Sequence, residues 1–245
     1  MKAPGTALLV CLVFAMSPVL QAGEIYGEPE APLVAEVLGT DIHTVDPEEM
    51  KYVILGRLQD RYAAEQGIRV SRADIDAYLE AMHRVAEQDR QRRAERRQKL
   101  LVKLAATSPE DPEHKALSSQ LESLDQLDAS LGAPGDDSAE DRAAREQVAA
   151  AFIRQWKVNR ALYRQYGGRI IFQQGGPEPL DAWRAFLEEQ QGKGAFRILD
   201  KSLETGFREY YVNDSIHSFY PAGSGEEAQV FEAPWWLLES SPQAR

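Results

Sequence analysis

The sequence predicts a mainly α-helical protein: a helical domain with one small β-hairpin and a long projecting helix. Three observations carry this. Apolar residues recur at three- and four-residue spacing through most of the 245 residues, as a helix with one buried face requires. The stripes begin at capping residues and stop at Gly or Pro. One early segment, around Gly39, alternates with the period of two that suits a half-buried strand.

The first 22 residues, "MKAPGTALLVCLVFAMSPVLQA", have a Lys, an apolar run and a small residue at Ala22. They read as a secretory signal peptide processed after Ala22, with an uncleaved inner-membrane anchor as the alternative. Cys11 lies within the run, so the mature chain is expected to lack cysteine, which excludes disulfides and thiol catalysis. Export without disulfides suits the bacterial periplasm.

Residues 23–32 read as a flexible lead-in, and "LVAEVLGTDIHT" as the hairpin, with Gly39 in its turn. Asp46 followed by Pro47, Glu48 and Glu49 is a helix start: a capping carboxylate, Pro at the first helical position, and acids near the positive end of the helix dipole. Met50, Ile54, Leu58 and Tyr62 make its apolar stripe, and Gly67 supplies a left-handed stop. Ser71 and Asp74 form a capping pair for the next helix, whose face carries Ile75, Tyr78, Leu79, Met82 and Val85.

That helix continues through residues 88–98 with almost no apolar face, so it is expected to project or bridge. The basic run Arg84, Arg90, Arg92, Arg93, Arg96, Arg97, Lys99 and Lys103 is interleaved with Glu87, Asp89 and Glu95. This favours a solvated, salt-bridged helix over peripheral contact with an anionic membrane surface. Pro109 and Pro112 end this unit (33–107), Leu117, Leu121, Leu124 and Leu127 mark another helix, and "GAPGDDSAED" closes the insertion (108–138).

Residues 139–166 form a long helix carrying Val148, Phe152, Trp156, Asn159 and Tyr163, stopped by Gly167 and Gly168. "RIIF" is a short strand candidate, after which the second glycine pair turns the chain and Pro177 and Pro179 start a helix bearing Leu180, Trp183 and Leu187. "FRI" is a possible strand, and the C-terminal unit (139–221) ends in an aromatic cluster. Residues 222–245 read as a poorly structured tail, apart from 235–238.

Function classes narrow by elimination. A net charge of −11 argues against a nucleic-acid binder, since phosphate contacts need clustered positive charge. The four histidines, His43, His83, His114 and His217, show no ligand spacing, and no nucleotide-binding loop or nucleophile elbow is present, so no metal or other cofactor is expected.

"VAEVLGTDIHTVDPEE" followed by "AAEQGIRVSRADIDAYL" resembles the N-terminal peptide-binding domain of the SurA-type periplasmic chaperones and related exported prolyl isomerases, over about a fifth of the chain. Leu38 stands where that family often has Asn. The resemblance implies capture of unfolded, aromatic-rich segments of envelope proteins in a crevice built from the N-terminal helices and a C-terminal segment. The expected lining is Met50, Ile54, Leu58, Leu79 and Met82 with Phe172 and Trp183, the methionines adapting to varied clients. Isomerases of that group carry an inserted parvulin domain; here "GGRIIF" and "SIHSF" echo it but lie too close together to enclose one. A non-catalytic chaperone or assembly factor is therefore the first reading. A divergent prolyl isomerase and a fixed bridging subunit of an envelope complex are the alternatives.

Overall fold

A computed structural model describes residues 25–28, 30–131, 138–173 and 175–237. The expected signal peptide and its processing site, Cys11 and most of the Gly-Pro-Asp linker lie outside the described residues. The fold is mainly helical with a small sheet, as expected, with seven α-helices among the described residues. No described helix is long and apolar enough to cross a membrane.

The chain divides into two compact units. One is formed by the chain up to Ile75 together with Val148 onward; the other is Asp76–Gln147. The boundary falls inside a helix, which is why composition did not mark it.

In the first unit, strands β1 (Ile25–Gly27), β2 (Leu33–Val37) and β3 (Thr40–His43) precede helix α1 (Pro47–Glu65). β2 and β3 are the expected antiparallel hairpin. Both turn residues are left-handed, Leu38 at φ 51° and Gly39 at φ 79°, which matches the twist of a tight hairpin. Asn tolerates that geometry more readily than Leu; Leu38 offsets the strain by packing on the core. Asp46 caps α1, accepting from the Glu48 amide, and Gly67 is left-handed at φ 64°.

Helix α2 (Arg72–Ala106) starts at the expected capping pair: the Asp74 amide donates to Ser71 Oγ, and the Ser71 amide and hydroxyl donate to Asp74 Oδ2. Lys157 Nζ also donates to Asp74 Oδ2, at 2.7 Å. Burial pushes this carboxyl up, but the bonds from Lys157 and Ser71 outweigh it and hold the pKa at about 2. The folded value lies below the unfolded one, so this stabilisation is present above pH 4 and fades as the pH falls toward 2. Asp74→Asn is therefore expected to lower the melting temperature at pH 6, with the gap from wild type closing by pH 2.5. A gap unchanged over that range in paired thermal melts would show that the carboxylate charge is not what holds this cap.

In the second unit, α2 runs on as one helix and α3 (Pro112–Leu131) follows. Leu100, Leu117 and Leu124 form a small core. Arg93 and Arg97 bond Asp128 and Asp125 on α3 at 2.6 and 2.8 Å, while Arg84 pairs with Glu80, Arg90 with Glu87 and Arg92 with Asp89 along α2. Arg84, Arg90 and Arg92 are thus paired along the helix, as its interleaved acids imply, while Arg93 and Arg97 reach across to α3.

Helix α4 (Ala139–Tyr166) leads back to the first unit, followed by β4 (Ile171–Gln173), β5 (Gly176–Glu178), α5 (Leu180–Gly192), β6 (Phe196–Ile198), α6 (Lys201–Val212) and α7 (Gly225–Gln229). Pro177 does not start a helix: β5 pairs antiparallel with β4, and α5 begins only after Pro179. Pro177 is tolerated there because its partner Phe172 sends its own N–H outward, to Ser218 O. The 172–177 pair needs no ladder bond, so the missing proline donor costs nothing.

β6 completes the main sheet, whose strand order is β1-β3-β2-β6. Its core combines Val37 and Ile42 from the sheet with apolar faces of α1, α4, α5 and α6. The residues after 221 depart from expectation within the described part. Ser224 caps α7 and Phe231 lies beside Tyr163, while in the excepted stretch 235–238 Trp236 packs edge-on to Trp156. These side chains dock singly on α4, so no periodic stripe announces them.

Candidate functional site

The expected groove residues are not brought together as a groove. Met50, Ile54 and Leu58 are wholly buried, and Trp183 is 3 % exposed with its Nε1–H donating to Asn159. All four belong to the core, because the apolar faces of α1 and α5 turn onto the sheet and each other. A stripe at helical spacing reads the same whether it meets a core or an open groove. Leu79 and Met82 are half-buried and lie in the other compact unit. Phe172 is exposed on β4, its ring edge-on to Tyr220.

The first unit has instead an apolar recess between α5 and α6, floored by β6. Asp200 caps α6 by accepting from the Ser202 and Leu203 amides, which sets Phe207 and Tyr211 one turn apart on its inner face. On α5 the matching face is Leu187, with Arg184, Glu188 and Gln191 around it. Leu187, Phe196, Phe207 and Tyr211 form a buried floor, and Val212 at the lip is 56 % exposed. Arg208 spans the recess at 2.7 Å to Gln191 Oε1 and 3.0 Å to Glu204 Oε1. The result is an apolar floor with a rim of both charge signs, an arrangement suited to binding.

A second cluster carries more titratable chemistry. Tyr210 Oη–H donates to Glu178 Oε2 and accepts from Gln173 Nε2, both at 2.7 Å. His217 Nε2 lies 2.6 Å from the Tyr210 carbonyl, and Lys51 Nζ stands 4.9 Å above the Tyr210 ring. Burial pushes the Glu178 carboxyl up, against the pull of Tyr210, His217 and Lys51. A raised carboxyl beside a histidine is an acid–base pattern. Here, however, the phenol binds Glu178 and the imidazole binds a backbone carbonyl. The network ties β4 and β5 to α6. Its members come from four stretches of chain, with no local motif by which the sequence could reveal them.

Arg169 makes a comparable tie, bonding both Asp181 oxygens and Asp214 while lying 4.4 Å over the Phe219 ring. Gly168 allows this approach: at φ 92°, a Cβ there would stand 2.4 Å from Asp181 Cβ. Among the described residues, no group of three or more His, Cys, Asp or Glu could hold a metal ion.

Comparison with models of protein families, with curated proteins and with solved structures finds no match.

Proposed function

We propose that this protein is a periplasmic chaperone or assembly factor of the SurA N-terminal type, without catalysis of its own, which holds unfolded segments of envelope proteins. The observation that carries this reading is the apolar recess between α5, β6 and α6, which takes over the role first assigned to the α1 face. The recess is shallow, with a volume of about 30 Å³, so it takes the tip of an apolar side chain, at a gain of about 0.8 kcal/mol per buried methylene, which suits weak, reversible capture. The charged rim of Arg184, Glu188, Glu204 and Arg208 keeps the empty recess soluble and tunes which flanking residues are accepted. The leader-like N-terminal sequence supports an exported location.

Val212→Glu tests the reading, because Val212 is exposed at the lip and its loss leaves the core untouched. The variant is expected to bind a fluorescent unfolded β-barrel protein about tenfold more weakly than wild type, with an unchanged melting curve. A tenfold loss corresponds to about 1.4 kcal/mol, roughly one displaced aliphatic side chain. Equal affinity of the two proteins would remove the recess from the binding site. Acceleration of prolyl isomerisation in a protease-coupled peptide assay would instead favour an enzyme.

A further inference from the structure

We infer that the α2–α3 hairpin is a dimerisation surface: it packs against the same hairpin of a second copy of this chain, and the two close into an antiparallel four-helix bundle. The inference is independent of the recess, which lies in the other compact unit.

The hairpin is short of core. Along α3 only Leu117 and Leu124 are buried, and α2 meets them with Leu100. Leu104 and Leu121 pack on this cluster from the side and stay half-buried. A unit of roughly 70 residues rarely holds itself on one small core, and oligomerisation is a common remedy. Beside the cluster runs an open groove of about 490 Å³. Leu104, Leu121 and Ala129 give it apolar surface, and Glu122 and Asp125 stand on its α3 wall. Leu121, Asp125 and Ala129 recur every four residues, so the groove follows one face of α3 over two turns.

Charge selects what covers this groove. Over residues 90–103, α2 carries seven Arg or Lys against the single acid Glu95, whereas α3 carries Glu113, Glu122, Asp125 and Asp128 against Lys115. A matching surface must offer an acidic helix to α2 and a basic helix to α3, side by side and antiparallel. A lone helix can match only one wall. The hairpin of a second copy matches both. Turned about a twofold axis parallel to the helices, groove on groove, each copy sets its α2 antiparallel to the other's α3. The register is the one the hairpin already uses, in which Arg97 bonds Asp125 and Arg93 bonds Asp128. Leu104 and Leu121 of both copies then meet around the axis. Arg97 and Asp125, each about half exposed, and the exposed Glu122 lie along the seam.

Sedimentation equilibrium of the mature, full-length protein tests this, because a self-association follows mass action: wild type is expected to be a dimer at about 50 µM. Leu121→Glu is expected to weaken the dimer at least tenfold, with unchanged helix content by circular dichroism. Leu127→Glu, an exposed leucine of α3 that does not line the groove, is expected to leave it intact. The twofold arrangement makes a sharper demand. Arg97→Glu alone sets acid against acid at both seams, and Glu122→Arg alone sets base against base. Each variant is expected to be monomeric, while an equimolar mixture of the two regains the dimer, since both of its seams pair opposite charges.

A wild type that stays monomeric would overturn the inference, and so would a dimer that Leu121→Glu leaves whole or that Leu127→Glu splits. A mixture of the charge variants that remains monomeric would overturn the α2-on-α3 pairing. Monomeric wild type that floats with phosphatidylglycerol vesicles would give the basic helix to an anionic surface instead. Should Leu121→Glu fail to fold, the charge variants still decide, because both positions are solvent-exposed. Val212→Glu is expected to remain dimeric, so loss of client capture and loss of the dimer are read separately.

Discussion

Replacing Leu58 by Ala is expected to lower stability by about 3–4 kcal/mol without a specific effect on client capture. Leu58 is wholly buried on α1, within the core shared by the sheet and the helices of the first unit. Its truncation removes the transfer free energy of the lost methyl groups and leaves a cavity that a close-packed interior fills only in part, a combination that costs roughly 2–5 kcal/mol at sites of this kind. For a protein of this size each kcal/mol shifts the melting temperature by about 2–4 °C, so thermal unfolding followed by circular dichroism should move by about 10 °C. Below the new transition, affinity for the unfolded β-barrel probe should equal that of wild type. Preserved melting with weakened capture would return Leu58, and with it Met50 and Ile54, to a binding groove. The contrast with Val212→Glu is the point of the pair: one change acts on stability alone, the other on binding alone.

That contrast also locates what the sequence could reveal. Helix starts were legible because their causes are local: Asp46 reaches the Glu48 amide two residues away, and Ser71 and Asp74 bond each other across three. The β2–β3 hairpin was legible for the same reason, its turn lying between two short alternating runs. The direction in which a stripe faces is not local. Leu58 on α1 and Leu187 on α5 have the same periodic signature, yet only Leu187 borders an opening. Nor could the chain announce that "FRI" would complete the sheet, since the Glu36–Arg197 ion pair on β2 and β6 joins residues 161 positions apart. β5 was hidden by its own composition. Gly176 and Pro177 read as a turn and a helix start, and only the outward N–H of Phe172 explains why they form a strand.

Asn159→Ala is expected to cost about 3 kcal/mol, although it removes only a small polar side chain. Asn159 is buried on α4, where its Oδ1 accepts from Trp183 Nε1 at 2.9 Å and from Gln155 Nε2 at 3.0 Å, while its Nδ2 donates to Pro177 O at 3.0 Å. Truncation strands the Trp183 N–H and the Pro177 carbonyl, and each buried group left unpaired costs about 1–3 kcal/mol. Asn159→Asp separates this from lost packing. The carboxylate still accepts from Trp183 but cannot donate to Pro177, and burial raises its pKa in the folded state. A raised folded pKa means that stability is regained as the pH falls, because the protonated acid donates again. The melting temperature of Asn159→Asp, relative to wild type, should therefore rise from pH 8 to pH 4, while that of Asn159→Ala stays parallel to wild type. Parallel curves for both would mean that Asn159 fills space rather than joining α4 to β5 and α5. Because α5 is also a wall of the recess, the same loss should reach binding: Asn159→Ala is expected to weaken capture of the unfolded β-barrel probe together with stability, unlike Leu58→Ala, which lies on α1 and does not line the recess.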